Sequence, residues 1–428
     1  MDKNLLIAIL NDWNFWEKDQ ETGIKRAAYL VRLRKLIKSE QVIVITGARR
    51  AGKSFLMRQL ARDLIEQGVD QKNILIVNFE DPRFVKLDSQ LLEEIYQFYL
   101  QHFNLNSLVY IFLDEIQEVK GWEKWVKTMQ ELKKAKIIIS GSNAHLLSRE
   151  LGTTLTGRHL DLLVYPLSFK EFLNFQKEDG AMEMPNIKSF QQYLEFGGFP
   201  KVFFEESKKE LLLTYFQDVI NRDVVRRYSV RKTEGLKSLI NFYFSNFSNP
   251  ISYSSAAKFL GLTTDTAIKF SQYFSNAYLT FFLKRFSFKV KERDRSPQKV
   301  YLIDPGLINA VGFKFSDNLG RLLENIVFLE LLRRRGGQAQ ADLFYWQDSQ
   351  KREVDFIWQE GKAVKELIQV AADLHNLKTK EREVKALEKA LDQFGLKRSL
   401  ILTQDSEEEI KAGKKIITVK PVYQWLLE

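Results

Sequence analysis

The sequence predicts an α/β protein: a parallel sheet flanked by helices in the first third of the chain, followed by smaller domains. Three observations carry this. Four short apolar runs, Gln41–Thr46, Ile74–Val77, Leu108–Leu113 and Lys136–Ile139, are separated by helical stretches, the pattern of strands buried on both faces. The first run leads into a glycine-rich loop and then a helix. Beyond about residue 236 the pattern changes to short helices with turns, then strand pairs.

The loop is the most informative element. Gly47-Ala48-Arg49-Arg50-Ala51-Gly52-Lys53-Ser54 fits G-x-x-x-x-G-K-[ST], the phosphate-binding P-loop. Its glycines let backbone N–H groups curl around a phosphate, and the helix beginning near Phe55 adds its partial positive charge. Lys53 is expected to reach the β- and γ-phosphates, and Ser54 to bind Mg²⁺ through its hydroxyl. Gly47, Arg50, Gly52 and Phe55 complete the expected contacts. The cofactors expected are therefore ATP and Mg²⁺.

The second run, Ile74–Val77, is followed by Asn78-Phe79-Glu80-Asp81-Pro82-Arg83, where the proline ends the strand. The third run ends in Asp114-Glu115, the Walker B pattern. Asp114 would hold Mg²⁺ through water, and Glu115 would polarise the attacking water, a role worth about 10²–10⁴-fold in rate. An acid pair some sixty residues after a P-loop argues for hydrolysis as well as binding. The fourth run ends in small polar residues, Ser140-Gly141-Ser142-Asn143. Shortly after it, Leu155-Thr156-Gly157-Arg158 offers an arginine that could reach a neighbouring subunit's γ-phosphate; Arg222 is a second candidate.

Composition narrows the function further. The 428 residues suggest about three domains at ~150 residues each. No cysteine occurs, which excludes disulfides, thiolate zinc sites and cysteine nucleophiles and suits a reducing cytoplasm. The apolar run Leu5–Leu10 is too short to span a bilayer, so no membrane partner is expected. A net charge of +10 points to a polyanionic partner, most plausibly nucleic acid.

Residues 166 to about 235 are rich in helical patterns and aromatics, broken by Gly197-Gly198 and Pro200. Next, Tyr253–Leu262 reads as a short helix and turn, and Thr263-Thr264-Asp265-Thr266 opens a second helix, the spacing of a helix-turn-helix. Two strand-like runs, Leu279–Leu283 and Lys299–Ile303, add a hairpin, so the unit reads as a winged helix. Between and within them Lys284, Arg285, Lys289, Lys291, Arg293, Arg295 and Lys299 face only Glu292 and Asp294, with Phe286 and Phe288 interleaved. A basic wing of this kind would neutralise DNA phosphates. In the last stretch, Thr379–Leu396 reads as an amphipathic helix, Ser399–Thr403 as a strand and Val422–Leu427 as a closing helix.

The P-loop with its double arginine, Asn78–Arg83, Leu113–Glu115, Ser140–Asn143 and Leu155–Arg158 occur together with Pro166-Leu167-Ser168-Phe169-Lys170-Glu171-Phe172, Gly197-Gly198-Phe199-Pro200 and Glu353-Val354-Asp355-Phe356. In this order the set resembles the archaeal and bacterial AAA-type ATPases with a C-terminal domain of the DUF4143 type, over nearly the whole chain. The resemblance implies an AAA+ P-loop ATPase core at 1–165, a helical lid at 166–235, a winged helix at 236–313 and a domain similar to PD-(D/E)xK nucleases at 314–428. It implies that the fourth strand lies between the P-loop and Walker B strands and that its end senses the γ-phosphate, through Asn143 first and Ser142 second. Nucleases of that fold hold Mg²⁺ on acids and need a lysine. Here Glu324 and Asp355 match two acids, but Gln369 replaces the third and Ala371 the lysine, so nuclease activity is not expected. A displaced lysine could come from Lys378 or Lys380.

The function these readings support is a Mg²⁺-dependent ATPase acting on or sensing DNA as an oligomeric motor, in which a trans-acting Arg158 implies a homo-oligomer such as a hexamer. The alternative is a slow nucleotide-controlled switch that binds a protein partner.

Overall fold

The computed structural model describes residues 2–103, 105, 108–143, 157–180, 187–312, 319–336 and 342–428. It divides into two compact units, Met1–Val164 and Tyr165–Glu428. Among the described residues no helix is long and apolar enough to cross a membrane.

The first unit is built on β1 (Val42–Gly47), β2 (Ile74–Asn78), β3 (Val109–Asp114), β4 (Ala135–Gly141) and β5 (His159–Val164). The sheet order is β2-β3-β4-β1-β5, with every pair parallel. The first four strands are apolar and almost wholly buried, as a sheet covered on both faces requires. Strand β4 does lie between the P-loop strand β1 and the Walker B strand β3. Strand β5 adds an edge that the apolar runs did not reveal, because it is half-exposed and interrupted by Asp161.

The N-terminal apolar run forms α1 (Lys3–Trp13), which buries Leu6, Ile9 and Leu10. Just past it the fully buried Asn14 side chain donates to the Leu10 and Ile76 carbonyls and accepts from the Ile76 N–H. The exposed edge of β2 is thereby closed, as an edge strand needs. The segment after β2 is held the same way. Trp13 Nε1 donates to Asp81, and Arg83 clamps Asp81 and Asp12. These partners, Arg83 above all, hold the Asp81 carboxyl well below its ordinary range.

In the second unit the quoted motifs interlock. Ser168 and Glu171 form a capping box on the helix Phe169–Glu178. Leu167 donates its N–H to the Gly198 carbonyl at 2.6 Å. Asp304 caps the helix Pro305–Val311 and also accepts from Gly198 N at 2.7 Å. A Cβ on Gly197 would stand 2.0 Å from Asp304 Oδ1, so only glycine fits there. Burial pushes the Asp304 carboxyl up to about 6.

The helix Thr233–Ser245 is followed by β6 (Pro250–Ile251), the helices Tyr253–Leu260 and Thr264–Asn276, β7 (Thr280–Leu283) and β8 (Gln298–Leu302). The three strands form one sheet in the order β6-β8-β7. Thr263 caps the second helix, and Gly261 ends the first in the left-handed conformation.

The basic segment between β7 and β8 departs from the sequence reading. It carries a short helix, Val290–Arg295, where a plain hairpin was expected. Phe286 is buried against Phe344 and Phe394, because Lys284 and Phe286 exchange backbone hydrogen bonds with Tyr345 of the last sheet. Arg285 donates to the Gln347 carbonyl and Arg293 lies over the Phe344 ring. Lys299 is buried among carboxylates and cannot meet a phosphate. Lys284 and Lys289 remain exposed but are paired with Asp294 and Glu292. Charge counted along the chain therefore overstated the free positive surface.

The last sheet comprises β9 (Leu343–Gln347), β10 (Glu353–Glu360), β11 (Ala363–Val370), β12 (Arg398–Thr403), β13 (Glu408–Ala412) and β14 (Lys415–Pro421), in the order β13-β14-β12-β11-β10-β9. Strands β11, β12 and β14 are parallel, with the helix Leu377–Phe394 connecting the first two. Strands β13 and β14 escaped the sequence reading: β13 is mostly charged, and β14 is half-exposed with only a short apolar run between Lys415 and Lys420.

Candidate nucleotide-binding site

The candidate site gathers at the C-terminal ends of β1, β3 and β4. Strand β1 ends in Gly47, where a Cβ would lie 2.0 Å from the Val164 carbonyl oxygen of β5. That close approach requires glycine. The chain turns through Arg50 and Gly52, both at positive φ, into the helix Lys53–Glu66. Lys53 is 4% exposed, and its ammonium donates to the Gly47 and Ala48 carbonyls at 3.2 Å each. It lies 3.6 Å from Glu115 Oε1.

Asp114 is buried at the end of β3 and accepts hydrogen bonds from the Ser140 and Ser54 hydroxyls. Burial, and then the neighbouring Glu115 carboxylate, push the Asp114 carboxyl above its ordinary range. Glu115 itself takes a left-handed backbone conformation and donates its N–H to Ser140 Oγ at 3.1 Å. Two buried carboxylates thus face one ammonium. The set of Ser54, Asp114 and Glu115 oxygens is the hard donor type that Mg²⁺ takes while retaining waters and phosphate oxygens. Thr46 adds a buried hydroxyl with no hydrogen-bond partner among the described residues. The residues present therefore fit a magnesium–nucleotide complex.

Asn143 and Ser142 follow β4 directly and are both buried. The register pairs Thr46 with Gly141, which brings this segment beside the P-loop. Phe55 is partly exposed at the helix start, with the Arg58 guanidinium 4.3 Å from its ring centre.

Arg158 is not brought into this site. Its carbonyl accepts from Val42 N, at the opposite end of β1 from the P-loop. Six strand residues separate the two ends, about 17–20 Å at ~3.3 Å per residue. Its guanidinium pairs with Glu131, and it lines a cavity of about 540 Å³ with Gln41, Lys133 and Lys136. Leu155 and Thr156 of the same motif lie outside the described residues. Arg222 is exposed in a π-helical stretch, Val219–Arg226.

Sequence reasoning missed three residues here. Ser140 positions both Walker B acids, and the alternation of β4 toward β3 is the signal that could have singled it out. Arg26 is buried; its side chain donates to the P-loop carbonyl of Ala51 and its backbone N–H to Gln59. Gln59 in turn donates to the Thr22 and Ile24 carbonyls, tying the N-terminal segment to the P-loop helix. Neither Arg26 nor Gln59 sits in a recognisable motif.

An AAA domain is matched at residues 39–173, a domain of unknown function (DUF8612) at 187–318 and a second (DUF4143) at 319–425. Over 417 residues the chain is 38% identical to an uncharacterized protein of Methanocaldococcus jannaschii, covering 92% of this chain and 89% of that one. The chain belongs to the AAA-type ATPases with a C-terminal DUF4143 domain. The chain is also 36% identical over 320 residues to an uncharacterized protein of Haemophilus influenzae, covering 73% of this chain and 79% of that one. Among solved structures, the Walker-type ATPase of Pyrococcus abyssi is similar at 15% identity and a TM-score of 0.49, covering 67% of this chain and 95% of that one. The Orc1 protein of Aeropyrum pernix, solved in complex with DNA, is similar at 12% identity and a TM-score of 0.32, covering 72% and 96%.

Proposed function

We propose that this AAA-type chain binds and hydrolyses Mg²⁺-ATP and uses the cycle to act on or sense DNA. The observation that supports the ATPase reading most strongly is the convergence of Lys53, Ser54, Asp114 and Glu115 at the end of β1. Lys53 would exchange its two loop carbonyls for β- and γ-phosphate oxygens. Ser54 and Asp114 would hold Mg²⁺, which neutralises charge on the phosphates. Glu115 would orient the attacking water and Asn143 would sense the γ-phosphate. Gly47, Arg50, Gly52 and Phe55 would line the nucleotide. Given its place at the far end of β1, Arg158 enters this reading only in trans, acting on another copy in a homo-oligomer, for instance a hexamer. Mixed Arg158→Ala and Glu115→Gln subunits would then regain hydrolysis, and mixed oligomers that stay inactive would remove that role.

The DNA reading takes the Tyr253–Leu302 region as a winged helix. It rests on the exposed Lys258 and Lys269 of its helices and on Lys291 and Arg295 of the wing. The internal pairing of other wing cations favours a second reading, a nucleotide-controlled switch with a protein partner. Phe288 and Val290, 72% and 65% exposed, would then contact that partner.

Steady-state ATP hydrolysis at low salt separates the two. It is measured without DNA and with single strand, duplex or four-way junction, with Glu115→Gln as control. A several-fold rise with one DNA form, absent in the variant, is the expected result. A flat response, with turnover changed only by a protein, would leave the switch.

A further inference from the structure

The least exposed lysine of the chain's basic wing does not face solvent at all. Lys299, on β8, is 1% exposed. Its ammonium lies 2.9 Å from Glu324 Oε1, 2.7 Å from Glu353 Oε1 and 2.7 Å from Asp355 Oδ1. The ammonium donates to Glu324 and Asp355 and pairs with Glu353. The acids are held in turn: Tyr301 donates to the same Glu324 oxygen, Val370 N to Asp355 Oδ2, and Gln347 to Glu353 Oε2. Gln369 accepts from Asp355 N and passes the network to Glu383.

Three acids from the helix Leu319–Arg335 and from β10 thus converge on one point, and the cation at that point comes from a different sheet. Lys380 pairs with Glu408 and Lys378 is exposed, while the ammonium at these acids is that of Lys299. Among the described residues no group of acids or histidines is already arranged for a metal ion. With nitrogen–oxygen distances of 2.7–2.9 Å around an ammonium that is the expected state. Closing by a few tenths of an ångström would bring the same oxygens to about 2.3–2.6 Å, the range Ca²⁺ accepts in flexible geometry.

We infer that Glu324, Glu353 and Asp355 form a cation pocket that the chain fills with its own Lys299 ammonium, which closes the last domain to divalent metal and clasps β8 to it. The inference does not depend on the ATPase or DNA readings. It is tested on the nucleotide-free full-length chain by calorimetric titration with Ca²⁺, comparing each protein with its Asp355→Asn counterpart. In the wild-type chain Asp355→Asn should leave Ca²⁺ uptake unchanged. Lys299→Ala should gain one Ca²⁺ per chain, and Lys299→Ala/Asp355→Asn should lose it again. Asp355-dependent uptake by the wild-type chain would overturn the inference, as would a folded Lys299→Ala that gains nothing. If Lys299→Ala does not fold, adding Glu324→Gln and Asp355→Asn should restore a cooperative thermal transition. Failure of that triple variant would show that the lysine acts through packing and not as the pocket's cation.

Discussion

Lys53 and Lys299 are both buried, both lysines of an α/β layer, and both face aspartate and glutamate, yet their partners differ. Lys53 rests on two backbone carbonyls of a loop built to curl around an anion, with its nearest carboxylate oxygen 3.6 Å away. Lys299 is enclosed by three acids at 2.7–2.9 Å. A lysine held by neutral carbonyls and one looser carboxylate can move to a phosphate at smaller cost, because it stays beside Glu115. One enclosed by the buried Glu324 and Asp355 and the partly exposed Glu353 would strand them. Burial and residue type are common to the two places. What separates a site kept for a ligand from one already filled is whether the charge is satisfied by the chain itself.

Replacing each lysine by methionine should therefore fail in opposite ways. Lys299→Met leaves the buried Glu324 and Asp355 and the partly exposed Glu353 without a cation and should destabilise the second unit by about 3–5 kcal/mol, the usual cost of breaking a buried pair from one side. Urea unfolding followed by tryptophan fluorescence would read it, and a loss below about 1 kcal/mol would erase the contrast. Lys53→Met should cost less than Lys299→Met, about 1–2 kcal/mol, since it loses two carbonyl contacts and a looser pairing with Glu115 at 3.6 Å. It should lower kcat/KM for ATP by about 10²–10³-fold, the scale for removing one charge-stabilising donor. A stability loss as large as that of Lys299→Met, with ATP turnover retained, would mean that Lys53 too is a structural cation.

The contrast was only half legible in the sequence. The P-loop is a local motif, because a phosphate cradle is made by consecutive backbone N–H groups, so Gly47 to Ser54 could be read directly; the apolar runs located four of the strands around it, and the family resemblance placed the fourth between the first and the third. Glu324 and Asp355 were also within reach, because the resemblance to PD-(D/E)xK nucleases assigns acids at those places. Lys299 was not. Its side chain is paired with acids 25, 54 and 56 positions later, and counting it among neighbouring cations placed it on the surface. Ser140 escaped for the same reason, since its partners Asp114 and Glu115 lie on another strand. Strands β5 and β13 were missed because half-exposed strands carry charges where a buried strand carries only apolar residues.

The finest test of the contrast is electrostatic. Burial, and then the Asp355 carboxylate, push the Glu324 carboxyl up to about 8, against an ordinary value of 4.5. The folded chain therefore holds this proton more tightly than the unfolded chain. Stability from this group is fully present below about pH 4.5 and is lost as pH rises through about 8. One extra bound proton sets a slope of at most about 1.4 kcal/mol per pH unit between those limits. Glu324→Gln keeps a carbonyl acceptor for Lys299 and Tyr301 but removes the titration. Urea midpoints at pH 5.5, 7 and 8.5 should show the wild-type chain losing stability relative to the variant as pH rises, with the difference levelling off above about pH 8. Parallel curves would mean that Glu324 stays ionised throughout, with the Lys299 ammonium compensating its burial completely, and the filled pocket would then carry its full negative charge at every pH tested.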